Sequence, residues 1–163
     1  MNSISSIRTG SITSTKSSPG LLIATGNEGE YLRKDVVNTY LSYDAGMTWR
    51  RLAKGNHIYE LGDQGGLIVM GEAGVLTNTV KFSYDMGLTF NQMKINEKLF
   101  FITSIKADPQ RKGVFFTVSG LMDGKDDLGV VIPLDFSMLM PRRCDVANLT
   151  DFEEWVPAIP NGE

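Results

Sequence analysis

Apolar residues come along this chain in short runs of roughly four to eight, and no segment keeps a helical 3.6-residue spacing. The runs predict ten short strands: Gly20–Gly26, Thr39–Tyr43, Thr48–Leu52, His57–Leu61, Gly66–Gly71, Asn78–Tyr84, Thr89–Ile95, Phe101–Ala107, Val114–Ser119 and Val130–Phe136. Leu67, Ile68, Val69 and Met70 follow one another without a polar break, as in a strand covered on both faces. Asn78–Tyr84 instead alternates, with Val80, Phe82 and Tyr84 on one face and Lys81 and Ser83 on the other. Val130, Ile132, Leu134 and Phe136 share a face, and Pro133 between them predicts an edge or an interrupted strand. Helix is expected only as one or two turns, near Phe136–Met140 and Asp151–Trp155.

Composition agrees with a folded β protein. Of 163 residues, 42% are apolar and 21% charged, which is globular rather than disordered. The net charge of −3 gives no electrostatic case for nucleic acid or an anionic membrane surface. No apolar run approaches the ~18 residues of a span. Met1 to Gly20 is rich in Ser and Thr and shows no apolar signal-peptide region. Cys144 is the single cysteine, so no internal disulfide is available.

One repeat stands out. Residues 42–49 read Ser-Tyr-Asp-Ala-Gly-Met-Thr-Trp and residues 83–90 read Ser-Tyr-Asp-Met-Gly-Leu-Thr-Phe, identical at five of eight positions and 41 residues apart. That offset is the length of a propeller blade of about four strands. The pattern matches the Asp-box turn of β-propellers and sialidase-like folds. Asp44 and Asp85 are of a type that folds back onto backbone N–H groups in a turn. Gly46 and Gly87 supply a positive φ. Ser42, Ser83, Thr48 and Thr89 are hydroxyls that tie the turn to its flanks, and Trp49 and Phe90 anchor it to the blade. Repetition once per blade points to scaffold rather than catalysis or calcium.

Two further stretches resemble one family. The first runs from Pro19-Gly20 through Ala24-Thr25-Gly26-Asn27-Glu28-Gly29-Glu30-Tyr31-Leu32. The second, Gly55-Asn56-His57-Ile58-Tyr59-Glu60-Leu61-Gly62-Asp63-Gln64-Gly65-Gly66-Leu67-Ile68, follows one Asp-box and opens the next blade. With Leu134-Asp135-Phe136, Cys144, Asp151-Phe152-Glu153-Glu154-Trp155 and Pro160-Asn161-Gly162, they resemble the lumenal propeller of sortilin and the fungal vacuolar protein sorting receptors. The resemblance runs from about residue 18 to the end. It implies an all-β partial propeller of about three blades of four-stranded antiparallel sheet, the last of the family's ten, the first of them incomplete. It implies an unassigned segment at 1–17, blades at 18–143, and a last-strand junction to a Cys-rich module at 144–163. The function implied is that of a receptor binding protein or peptide cargo, such as lumenal hydrolases, for transport from Golgi to endosome and vacuole or lysosome. Its expected partners are the remaining blades and the Cys-rich module. Its place is the lumenal side of Golgi and endosomal membranes, held by a span that this chain lacks.

Other residues carry less. In this family Cys144 is expected to form a disulfide with a cysteine beyond residue 163; the alternative is a buried free thiol. A catalytic thiol needs a base, and the one histidine, His57, is expected in another blade, packed or hydrogen-bonded. Asn148-Leu149-Thr150 is a glycosylation sequon that matters in a lumenal protein. Asp123-Gly124-Lys125-Asp126-Asp127 lacks the ligand spacing of a calcium loop and reads as a hairpin turn. The glycines of 26–29 and 62–66 have no helix after them to seat a phosphate, and read as turns. No catalytic, cofactor or metal residue is assigned. Two other functions share the repeat: an Asp-box glycoside hydrolase, sialidase-like or xyloglucanase-like, and a non-enzymatic assembly factor. The hydrolase would need clustered carboxylates, with an arginine triad in sialidases. No such arrangement stands out among Arg8, Arg33, Arg50, Arg51, Arg111, Arg142 and Arg143. At about 40 to 45 residues per blade the chain holds fewer than four blades, an open arc expected to expose two blade faces and to be marginally stable.

Overall fold

A computed structural model of the chain describes residues 12–15, 18–31, 33, 36–108, 113–123 and 128–139. Cys144, Asn148, residues 124–127 of the expected hairpin turn and the expected helical turns at Asp151–Trp155 lie outside the described residues.

Twelve strands are present among the described residues: β1 (Thr13–Ser14), β2 (Leu22–Gly26), β3 (Asn38–Ser42), β4 (Arg50–Lys54), β5 (His57–Gly62), β6 (Leu67–Glu72), β7 (Leu76–Thr77), β8 (Thr79–Ser83), β9 (Asn91–Lys94), β10 (Phe100–Ala107), β11 (Phe115–Met122) and β12 (Gly129–Asp135). They form three four-stranded antiparallel sheets, ordered β1-β2-β3-β4, β5-β6-β8-β9 and β12-β11-β10-β7. The only helical pieces among the described residues are single 3-10 turns at Asp63–Gly65 and Ser137–Leu139. This is the all-β architecture of three propeller-like blades.

The second sheet is the middle layer. Leu67, Val69, Val80 and Phe82 face the third sheet, in a core with Phe100, Ile102, Ile105, Phe116, Val118, Leu134 and Phe136. Leu61 and Ile68 face the first sheet and join Leu21, Ile23 and Leu41. Side chains alternate along a strand, so β6 sends successive residues to opposite cores, and Leu67 to Met70 are all fully buried. The unbroken apolar run is therefore the signature of a sheet covered on both faces.

Several expectations change. Within the segment 1–17, Thr13 and Ser14 pair with Ile23 and Leu22. That strand completes the first sheet, which is four-stranded and not the partial blade expected. Thr13-Ser14 gave no sequence signal because two polar residues make no period. Leu76–Thr77 escaped because two residues are too few to show a period. It leaves the β6–β8 connection of the second sheet to pair with Phe100 and Phe101 of the third. Tyr84 does not continue the apolar face of β8; the strand ends at Ser83, and Tyr84 is 53% exposed in the turn. Thr48 and Trp49 lie in the turn, since β4 begins at Arg50.

The strand with Pro133 is an edge. Phe136 N donates to Val114 O and Met122 N to Leu128 O, so the even-numbered residues of β12 point their backbone groups at β11. Pro133 belongs to the odd set facing away, where its missing N–H breaks no bond in the β11–β12 ladder.

Candidate functional site

The two repeated turns close the β3–β4 and β8–β9 hairpins with the same hydrogen bonds. Ser42 Oγ donates to Asp44 Oδ1 at 2.8 Å and accepts from Gly46 N at 2.8 Å. Ser83 Oγ donates to Asp85 at 2.6 Å and accepts from Gly87 N at 2.8 Å. Asp44 also accepts from Thr48 N at 2.8 Å and Thr48 Oγ1 at 2.6 Å. Asp85 accepts from the same two groups of Thr89. These donors stabilise the charged form. The Thr48 and Ser42 bonds lower the Asp44 pKa to about 2, and the Ser83 and Thr89 bonds lower Asp85 to about 2. Each carboxylate is thus engaged by its own turn.

Each turn takes two residues through left-handed backbone. Gly46 and Gly87 have φ of 93° and 78°, and the residues before them, Ala45 and Met86, have 59° and 58°. Glycine adopts this region freely; Ala45 and Met86 are held there against their preference.

The aromatic residues that end the motifs differ. Phe90 packs against the Leu21, Ile23, Leu41, Leu61 and Ile68 cluster. Trp49 is 39% exposed and donates from Nε1 to Gly46 O at 2.9 Å, so it anchors its own turn.

The structure brings the two turns together, which the motif alone did not indicate. Tyr43 OH donates to Met86 O. Arg50 Nη2 donates to Tyr43 OH at 2.8 Å, Met86 O at 3.3 Å and Gly87 O at 3.2 Å, with its guanidinium 5.7 Å from the centre of the Tyr43 ring. Arg50 follows the first motif immediately, and Tyr43 is its second residue. The available signal was a tyrosine repeated in both copies beside a cation present in only one.

The stretch Gly55 to Gly66 lies across both seams. His57 is 4% exposed, with Nδ1 3.1 Å from Thr39 Oγ1 of the first sheet. Tyr59 OH donates to Ile23 O at 3.2 Å, and burial raises its pKa. Glu60 Oε2 pairs with Lys106 Nζ of the third sheet at 3.2 Å. Gly62 lies so close to Gly113 that a Cβ would strike its carbonyl oxygen, and the neighbouring Asp63 N donates to that oxygen at 3.1 Å. Asp63 and Gln64 have φ of 45° and 54°. Gly65 packs under Ser18 and Leu21, and Gly66 N donates to Asp63 O at 2.9 Å. Gly55 has φ of 86° and offers its carbonyl to Thr39 Oγ1 at 3.0 Å.

Two shallow clefts accompany these elements. One, of about 450 Å³, lies among Pro19, Leu21, Tyr43, Asp63, Gln64 and Met86. The other, of about 330 Å³, lies among Ala24, Glu28, Tyr40 and Trp49. Among the described residues no group of three or more His, Cys, Asp or Glu is placed to hold a metal ion, and no helix is long and apolar enough to cross a membrane.

Three four-stranded antiparallel sheets stacked through shared cores, two of them closed by the same aspartate-centred turn, define an incomplete β-propeller. Residues 2–105 match the family described as Sortilin, neurotensin receptor 3 (Sortilin-Vps10), and the chain belongs to that family. The match begins within the segment first left unassigned. The chain is 36% identical over 159 residues to the vacuolar protein sorting/targeting protein 10 of Komagataella phaffii, covering 91% of this chain and 10% of that protein. It is 33% identical over 158 residues to the protein of the same name from Lodderomyces elongisporus, covering 92% and 10%. The Laccaria bicolor protein of that name is 34% identical over 152 residues, covering 88% and 10%. The chain thus spans about a tenth of the length of these relatives.

Proposed function

We propose that this chain is part of a sorting receptor that binds cargo proteins in the lumen for transport from Golgi to endosome and vacuole. The observation that carries this reading is membership of the Sortilin-Vps10 family, with relatives named as vacuolar sorting proteins along nearly the whole chain. On this reading residues 18–143 are blades and 144–163 lead into a Cys-rich module, where Cys144 finds its disulfide partner and Asn148 carries a glycan. The turns centred on Asp44 and Asp85 are scaffold, since each carboxylate is spent on backbone and hydroxyl donors of its own turn. The protein is not an enzyme.

The outer sheets support a longer assembly. On the outer face of the third sheet Leu121 and Val131 are 41% and 71% exposed, apolar positions that further blades would cover.

The test is deletion of residues 13–135 from the longer receptor, with missorted vacuolar hydrolases measured in the medium. Secretion of hydrolases, restored by the intact receptor, is the expected result. Normal sorting after deletion, or turnover of a fluorogenic sialoside or xyloglucan by the purified chain, overturns the proposal.

A further inference from the structure

We propose that the seam between the first two sheets is a proton-operated hinge, pinned at its turn end by Arg50 and loosened at its other end when His57 gains a proton. This does not depend on the cargo reading.

His57 opens β5 at the end of the seam away from the repeated turns. Its Nδ1 meets Thr39 Oγ1 at 3.1 Å and Gly55 O at 3.3 Å. The Thr39 hydroxyl gives its own proton to Gly55 O at 3.0 Å, so Nδ1 is assigned as the donor to Thr39 and Nε2 as the bare nitrogen. Nε2 is buried without a hydrogen-bond partner. A neutral ring leaves only a lone pair unmatched there. A protonated ring would bury a charged N–H with no acceptor, which costs far more.

The surroundings offer little relief. On β6 Glu72 stands opposite His57 and favours the proton, but it is exposed. On β8 Lys81 opposes it. Lys54, at the end of β4, is exposed. From β3 and the Gly55 loop only neutral groups make contact, the Thr39 hydroxyl and the Gly55 carbonyl. Burial is the main cause holding the His57 pKa below its ordinary 6.5.

The two ends of this seam therefore answer acid differently. At the turn end the bonds come from the Arg50 guanidinium and the Tyr43 phenol, and no histidine takes part. At the far end a proton adds a charged N–H at the buried Nε2, which weakens the closed seam even though Nδ1 still donates to Thr39. With the folded pKa depressed, the unfolded chain binds the proton first. Stability is full above about 6.5 and falls as pH drops toward the folded value. The loss falls on the seam at His57 and leaves the third sheet's seam intact.

Because His57 is the only histidine in the sequence, its ring protons need no assignment in the NMR spectrum of the untagged 163-residue chain. The titration is expected to fall below 6.5. Hydrogen exchange, corrected for its intrinsic pH dependence, is then compared at pH 7.5 and pH 5.5. Protection at Thr39–Leu41 and Ile58–Tyr59 is expected to fall about tenfold more than at Phe116–Val118. His57→Asn keeps a donor near the Nδ1 position and is expected to abolish that difference. If that variant does not fold, the wild-type chain still decides. A His57 pKa at or above 6.5, or equal loss of protection in both seams, overturns the proposal.

Discussion

Between the second and third sheets eleven residues are buried in one cluster, four of them phenylalanines; between the first and second sheets the described cluster holds five buried residues, all aliphatic. The Phe136 ring lies 5.1 Å from Phe82 and 5.6 Å, edge on, from Phe116. Backbone bonds reinforce this seam at two places, through Asp63 N to Gly113 O and through β7 on β10. The first seam relies on polar side chains at its margins: Arg50 and Tyr43 at the turns, Tyr59 on Ile23 O, and His57 on Thr39. Apolar burial is insensitive to protonation and depends on area and packing. Hydrogen bonds and charges respond to pH, salt and single-atom changes. The same repeat unit thus makes one rigid seam and one adjustable seam.

The comparison breaks most directly at Phe136. Phe136→Ala removes a fully buried ring and two aromatic contacts, and is expected to cost about 3–5 kcal/mol in urea unfolding. Leu41→Ala, in the smaller cluster, is expected to cost less, near the lower end of about 2–5 kcal/mol. Equal costs would mean that the aliphatic seam is as tightly packed as the aromatic one. Next in size is Gly62→Ala. Its new Cβ would collide with the Gly113 carbonyl oxygen and the Phe116 ring, so about 1–3 kcal/mol should be lost. Gly129→Ala is the control, because nothing lies within 4 Å of a Cβ there; its cost should stay within about 0.5 kcal/mol.

These positions also show what the sequence disclosed. The longer strands of the three sheets were legible because burial on one or two faces imposes a period or an unbroken run, as at Leu67 to Met70. The hairpin positions were legible because the same five residue types recur across 41 residues. Strands of two residues were not, since Thr13–Ser14 and Leu76–Thr77 are defined by partners rather than by pattern. Nor were the contacts between blades. The approach of Gly62 to Gly113 joins residues far apart in sequence, and glycine leaves no trace of what it touches. Arg50 gave no signal of its role, because nothing local tells that two carbonyls of the next turn lie within its reach.

A smaller effect is expected at that bridge. Arg50 is exposed, so its hydrogen bonds compete with water and Arg50→Ala should cost about 0.5–1 kcal/mol. Tyr43→Phe should cost a similar amount, and the double variant less than the sum, since both side chains serve the Met86 carbonyl. Asn91 occupies the place after the second motif that Arg50 occupies after the first. Asn91→Ala should be neutral within about 0.5 kcal/mol, which separates the bridge from the turn that it follows. Strict additivity of Arg50→Ala and Tyr43→Phe would dissolve the bridge into two unrelated surface contacts.

The smallest effect separates the turns from the seam beside them by pH. Asp44 and Asp85 are held at about 2 against an ordinary 3.8 by the hydroxyl and backbone donors of their turns. A depressed carboxylate pKa contributes stability above 3.8 that is lost as pH falls toward 2. Both carboxylates are solvent-facing, so the contribution is modest. His57 acts on a higher range, beginning at 6.5 and working downward. Thermal midpoints measured across acid should therefore fall in two stages, the first absent in His57→Asn and the second reduced in Asp44→Asn. The lower stage should shrink by the same amount in Asp85→Asn, because the two turns have the same kinds of donor, although one closes a hairpin of the first sheet and the other a hairpin of the middle sheet. Unequal changes would show that the sheet each turn closes, rather than the turn itself, sets how firmly its carboxylate is held.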